Sequence, residues 1–214
     1  MGRQIGLFGG TFDPPHEGHL AAANGAKEAL ELDRVLFVVA NDPWQKSGHR
    51  RVTEARHRLA MTKLLVQGID GIEVSDVEIL RGGESYTIDT VTDLLCEGHE
   101  VTLIVGADVV HGIETWERSD ELRNLVRVAV IDRPGYDPPT LDGWLMQRVD
   151  VGSQDISSSE VRDRIGEGAP INYVLPAAVR RYIDQHQLAW ESRKIRALLT
   201  VLALSDGRCE DSLK

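Results

Sequence analysis

Residues 34–40 read RVLFVVA, six apolar residues in succession after the arginine, most of them β-branched or aromatic. A strand with one wet face alternates apolar and polar positions. A strand without that alternation has to be covered on both faces, as in a parallel sheet wrapped by helices. VTLIVG (101–106) and VRVAVI (126–131) repeat the pattern, and QIGLFG (4–9) is a shorter version of it. Between these runs lie segments of helical character: HLAAANGAKEALEL, TEARHRLAMTKLLVQG, TIDTVTDLLCEG, SSSEVRDRIGEG and PAAVRRYIDQH. Thr53 is a plausible N-cap, and Gly68 and Gly98 are stop signals. IEVSDVEI reads as one strand or two short ones. Strands alternating with helices predict a doubly wound α/β domain, its sheet mostly parallel with helices on both faces.

The chain has 214 residues, enough for one sizeable core, and is 42% hydrophobic and 27% charged, an ordinary globular composition. A net charge of −10 argues against general binding to nucleic acid or to an anionic membrane. Two cysteines, Cys96 and Cys209, are too few and too far apart for a disulfide framework, so a reducing cytoplasm is the expected setting. No apolar run approaches the length of a membrane span. The main domain is expected over 1–190. Residues 191–214 form an extension, helical or poorly ordered, whose Ile195, Leu198, Leu199, Leu202 and Leu204 partly follow helical spacing; a homo-oligomer contact is left open.

In doubly wound sheets ligands bind beyond the carboxyl ends of the strands, near the switch in strand order. Four segments therefore matter: GGTFDPPHEGH, NDPWQK, GADVV and DRPGY. In the first, Gly9 and Gly10 are expected to turn the backbone and expose N–H groups, and Pro14 and Pro15 to stiffen it. A helix begins near His16, where unpaired N–H groups and the macrodipole favour an anion. His16 and His19, three apart, project from one face of its first turn, and Gly18 leaves room for a ligand. Two imidazoles at a helix N-terminus suit a phosphate clamp, able to take up charge as phosphate charge builds. A zinc site would want more ligands than these two. Neither a Walker A pattern nor G-x-G-x-x-G is present, so P-loop and dinucleotide readings lose support.

GGTFDPPHEGHL resembles the signature of the H-x-G-H nucleotidyltransferases, which move a nucleoside monophosphate from a triphosphate onto a phosphate and release pyrophosphate. The resemblance implies a Rossmann-like nucleotidyltransferase fold, a catalytic role for His16 and His19, and phosphates lined by Gly10, Thr11 and Phe12. QDISSSEVRDRI is similar to the I-S-S-T-x-x-R segment of the same superfamily, which implies phosphate contacts from Ser158, Ser159 and Arg162. On residues alone, Ser157 and Glu160 make an ordinary capping box there. Gly106 and Asp108 are implied at the ribose of ATP.

GGESYTIDTV resembles the S-Y-T-x-D-T stretch of the bacterial nicotinate-nucleotide adenylyltransferases. That implies a nicotinate carboxylate at Thr87 and the neighbouring backbone N–H groups, a setting physically suited to an anion. Trp116 resembles the tryptophan that stacks on the pyridine ring, and Trp44 and Lys46 resemble a P-x-W-x-K variant near phosphate. Arg133 is an acceptor-phosphate candidate. INYVLPAAVRRYI resembles the closing structural segment. The implied partners are ATP, with Mg²⁺, and nicotinate mononucleotide. Related acceptors (nicotinamide mononucleotide, phosphopantetheine) and a non-catalytic nucleotide-binding regulator are the rival readings.

Overall fold

The computed structural model describes residues 2–43, 51–133, 135–152 and 156–190. Trp44, Lys46 and the 191–214 extension lie outside the described residues. Six strands form one sheet: β1 (Gln4–Gly10), β2 (Arg34–Val39), β3 (Ile72–Ser75), β4 (Glu100–Gly106), β5 (Arg127–Ile131) and β6 (Met146–Val149). Their order is β3-β2-β1-β4-β5-β6, and every pairing is parallel. The chain thus winds outward from β1 in one direction, then returns to β1's other edge with β4. The gap between β1 and β4 is the switch point, and β1 ends there on Gly9 and Gly10, β4 on Gly106.

The uninterrupted apolar runs are explained by which face each residue covers. In β2, Val35, Phe37 and Val39 point into one core while Leu36 and Val38 point into the other. In β5, Ala129 and Ile131 divide from Val128 and Val130 in the same way. The first core packs against α1 (Glu17–Ala29), α2 (Ala55–Val66), α7 (Ser158–Gly166) and α8 (Ala177–Gln185). The second packs against α4 (Thr87–Cys96), α5 (Ala107–Val110), a 3-10 turn (Ile113–Thr115) and α6 (Ser119–Leu125).

Three details differ from the sequence reading. IEVSDVEI is a strand followed by a short helix, α3 (Val77–Arg81), because Asp76 ends the extended run and Glu78 turns inward. The α2 helix has Glu54, not Thr53, as its N-cap; the Thr53 carbonyl instead accepts a bond from Arg58. The edge strand β6 was not read from the sequence, since MQRV carries two exposed polar residues in its centre and only Val149 is buried.

Candidate active site

The loop from β1 to α1 is shaped by Phe12. Its backbone is left-handed, φ 49°, an unusual conformation for a non-glycine residue that costs on the order of 1 kcal/mol or more. Its ring is buried, edge-on to Phe8 at 5.8 Å and tilted 5.2 Å from Phe37. A Cβ on Gly10 would come within 2.8 Å of that ring. Gly9 and Gly10 therefore do not make the turn: both are strand residues paired with Val38 and Val39, and the turn falls at Phe12. Gly10 is glycine so that the Phe12 ring can fold beneath it. At Gly9 a side chain would meet only open space.

The carbonyl groups of this loop face the body of the protein. Arg58, 1% exposed, donates from Nη1 to the Thr11 carbonyl at 2.9 Å and the Ala40 carbonyl at 2.6 Å. Its Nη2 reaches the Asn41 carbonyl at 2.8 Å and its Nε the Thr53 carbonyl at 2.7 Å. Arg162 donates to the Asp13 carbonyl and to Ser159 Oγ, both at 2.8 Å, and Ser158 Oγ donates to the Pro14 carbonyl at 2.9 Å. The indole N–H of Trp190 reaches Asp13 Oδ1 at 3.2 Å. Ser158 and Arg162 thus brace the loop as well as lining the space beside it. Ser157 caps α7 by accepting from the Glu160 N–H at 3.1 Å, but the reciprocal half of the capping box is not made, because the Glu160 carboxylate accepts from Arg164 one turn on.

Sequence reasoning missed Arg58, Asp13 and Trp190. For Arg58 a signal was present: it stands on the buried stripe of α2 with Met61, Thr62 and Leu65, where an unpaired charge would not be tolerated.

His16 is the N-cap residue of α1, and His19 stands one turn on, their ring centroids 3.7 Å apart. His19 Nδ1 accepts the His16 backbone N–H at 3.2 Å, so its ring proton belongs on Nε2. Edge-on contact with Phe12 at 5.0 Å fixes its orientation. His16 is 5% exposed, and its Nδ1 is buried without a partner among the described residues. A Cβ on Gly18 would stand 3.0 Å from that atom, so Gly18 makes room for the His16 ring rather than for a ligand at its own backbone. Burial, with the charge of Arg133 adding to it, lowers the His16 pKa from 6.5 to about 3. In the ligand-free site His16 is therefore a neutral imidazole and not a standing cation.

Two cavities open here. The first, about 320 Å³, is lined by His16, His19, Phe12 and the start of α7, with Ser158, Ser159, Arg162 and Arg133 on its walls. The second, about 480 Å³, is lined by Glu78, Ser85, Tyr86, Thr87 and Trp116. They share Gly9, Gly10, Thr11, Gly106 and Asp108, the ends of β1 and β4. Arg133 lines the first and is ion-paired there with Asp108 at 2.9 Å, so it stands apart from Thr87 and Trp116. Thr87 is the first residue of α4, which has no side-chain cap. Trp116 is half-buried against the second core.

A buried imidazole that refuses a proton leaves a mark on stability. Between pH 6.5 and 3 the unfolded chain takes up a proton at His16 that the folded chain does not, so stability falls as pH drops through that window. From pH 7 to pH 5 the wild type should lose about 2 kcal/mol more than His16→Asn. Urea unfolding at the two pH values measures the difference; equal losses would mean His16 is not held neutral.

Residues 7–164 match the family model for cytidylyltransferase-like domains. The probable nicotinate-nucleotide adenylyltransferase of Desulfitobacterium hafniense (strain DSM 10664 / DCB-2) is 41% identical over 195 residues, covering 86% of this chain and 94% of its own. That of Bacillus pumilus (strain SAFR-032) is 39% identical over 189 residues, covering 87% and 98%. Among solved structures, the Plasmodium falciparum nicotinic acid mononucleotide adenylyltransferase complexed with NaAD superposes with a TM-score of 0.74 at 19% identity, over 87% of this chain and 97% of that one. The fold is therefore that of the Rossmann-like nucleotidyltransferases. With the switch-point cavities and these relatives together, the chain belongs to the nicotinate-nucleotide adenylyltransferase family.

Proposed function

We propose that the protein transfers the adenylyl group of ATP to nicotinate mononucleotide, giving nicotinate adenine dinucleotide (deamido-NAD) and pyrophosphate in NAD biosynthesis. The observation that carries this reading is the pair of cavities meeting at the ends of β1 and β4, with His16 and His19 in the wall of the first. ATP occupies the first cavity, its phosphates against the backbone of Gly10, Thr11 and Phe12. Ser158, Ser159, Arg162 and Arg133 supply polar groups around the triphosphate, and Gly106 and Asp108 border the ribose. The acceptor occupies the second cavity, with its carboxylate at the N–H groups opening α4 beside Thr87, and its ring against Trp116. Trp44 and Lys46 are assigned to the acceptor side on sequence alone.

The acceptor phosphate oxygen attacks the α-phosphorus in line. A new P–O bond forms there as the bond to the bridging oxygen breaks, and pyrophosphate leaves with the electron pair. No residue forms a covalent intermediate; positioning and charge stabilisation do the work. His19 donates from Nε2 to the developing charge. His16, neutral in the ligand-free site, stacks on it and holds its register.

A Mg²⁺ fixed by the protein does not fit the donors present. Asp13, Asp108 and Asp132 border the first cavity, but they are engaged by Trp190, Arg133 and Arg148. Among the described residues no three His, Cys, Asp or Glu side chains group to hold a metal. The ion enters as part of the substrate, MgATP.

Pyrophosphate release measured with ATP and each mononucleotide tests the reading. Release with nicotinate mononucleotide, and much less with nicotinamide mononucleotide, is expected; no release with either would remove the activity. His19→Ala should lower kcat by about 10²- to 10³-fold while ATP still binds, as loss of a transition-state donor does. Unchanged turnover would take His19 out of the chemistry. Thr87→Val should erode the acid-over-amide ratio of kcat/KM, and an unchanged ratio would move carboxylate recognition elsewhere.

A further inference from the structure

Glu78 is a buried carboxyl in the wall of the second cavity that the chemistry above does not use. It is 7% exposed, and burial pushes its pKa up. Acidic side chains are seldom buried without a task, because removal from water is costly unless partners replace the water. Its partner is specific: Thr90 Oγ1, on α4, donates to Glu78 Oε1 at 3.0 Å. Ser85 lines the same cavity wall.

Thr90 and Ser85 are each tied onward. Ser85 Oγ accepts the Asn41 N–H at 2.8 Å, and the Ser85 N–H reaches the Asp42 carbonyl at 3.1 Å. The Asn41 carbonyl is one of the four held by Arg58. Thr90 Oγ1 accepts from Arg81 Nη1 at 3.2 Å, and Arg81 Nη2 bonds Asp93 at 2.7 Å. Glu78 therefore sits where the end of β2, the 82–86 turn and the first helical turn of α4 meet. A carboxylate accepts on either oxygen, whereas an amide of the same size offers only one acceptor atom.

We propose that Glu78 is a positioning residue for the acceptor, which holds the Thr90 hydroxyl of α4 and so fixes the Tyr86–Thr87 opening of that helix, against which the acceptor's anionic ring substituent binds. The proposal rests on the acceptor reading of the second cavity. It assigns specificity to a residue that touches neither the reacting phosphates nor the first cavity.

The test is steady-state kinetics of Glu78→Gln with both substrates varied. KM for nicotinate mononucleotide should rise about tenfold, with KM for ATP and kcat within about twofold, as expected for loss of about one hydrogen bond's worth of ordering. Thr90→Val should raise the same KM and leave that for ATP in place, and adding Glu78→Gln to it should raise it little further, because the two act through one bond. Equal rises in both KM values, or multiplicative effects in the double variant, would overturn the proposal in favour of a general structural role. If Glu78→Gln does not fold, the Thr90→Val split decides in the same way. A wild-type protein inactive with nicotinate mononucleotide is a failure of the acceptor reading, seen before any variant is compared.

Discussion

The carbonyl groups of Thr11, Asp13 and Pro14 are each taken by a donor in the body of the protein, and the site depends on that. Arg58 takes Thr11, Arg162 takes Asp13 and Ser158 takes Pro14, from α2 and α7 on either side. Across the trans peptide that follows Thr11, the Phe12 N–H lies opposite the held carbonyl, and Phe12 borders the first cavity. An anion can be held there with little reorganisation, which is the condition for electrostatic stabilisation of a transition state. Two buried guanidinium groups are a costly means to this end. Arg58 is tolerable because its fork meets four fixed carbonyls, and Arg162 because its fork meets the Asp13 carbonyl and the Ser159 hydroxyl.

The same Arg58 links the two halves of the site. One guanidinium holds Thr11, which borders both cavities, together with Ala40 and Asn41 at the end of β2. The Asn41 N–H is in turn bonded to Ser85, which lines the second cavity together with Glu78, the acceptor of the Thr90 hydroxyl. The strand ends supply a rigid base, and the polar chain fixes on it the arms that meet each substrate. Transfer between two bound nucleotides needs their reacting atoms held in line at contact distance, and in the wall the two cavities share, Gly9, Gly10 and Gly106 carry no side chain to fill that space.

How much of this was legible in the sequence depended on whether the signal was periodic. Central strands buried on both faces announce themselves by runs such as RVLFVVA, and the parallel sheet follows from the helices between them. The edge strand β6 and the short helix α3 lack a run long enough to speak: MQRV is half polar, and VEIL suits a strand as well as a helical turn. At the site, His16 and His19 were readable because their spacing and the helix start coincide. The roles of Gly10 and Gly18 were not, since each is glycine on account of a ring, Phe12 or His16, whose position only the folded loop defines. Nor could spacing show that Arg162 braces Asp13 across 149 residues, or that His16 is too buried to hold a proton. Long-range partners and desolvation are properties of the packed chain.

In the function proposed above, the division into two cavities also separates chemistry from choice of acceptor. Histidines, the β1 loop and α7 surround the first, and none of them lines the second apart from the shared strand ends and Thr11. Acceptor discrimination then falls to α3, the 82–86 turn and the opening of α4, a surface segment with a local network of its own. An uncharged amide placed at the α4 N-terminus would leave its NH₂ facing N–H donors, a mismatch of the kind that gives strong discrimination. Changes in this arm can alter which phosphate is presented while the loop that receives it stays as it is. That separation is physically reasonable because the transferred group is common to every acceptor: the first cavity needs to recognise only ATP, and choice of acceptor is left to the residues of the second.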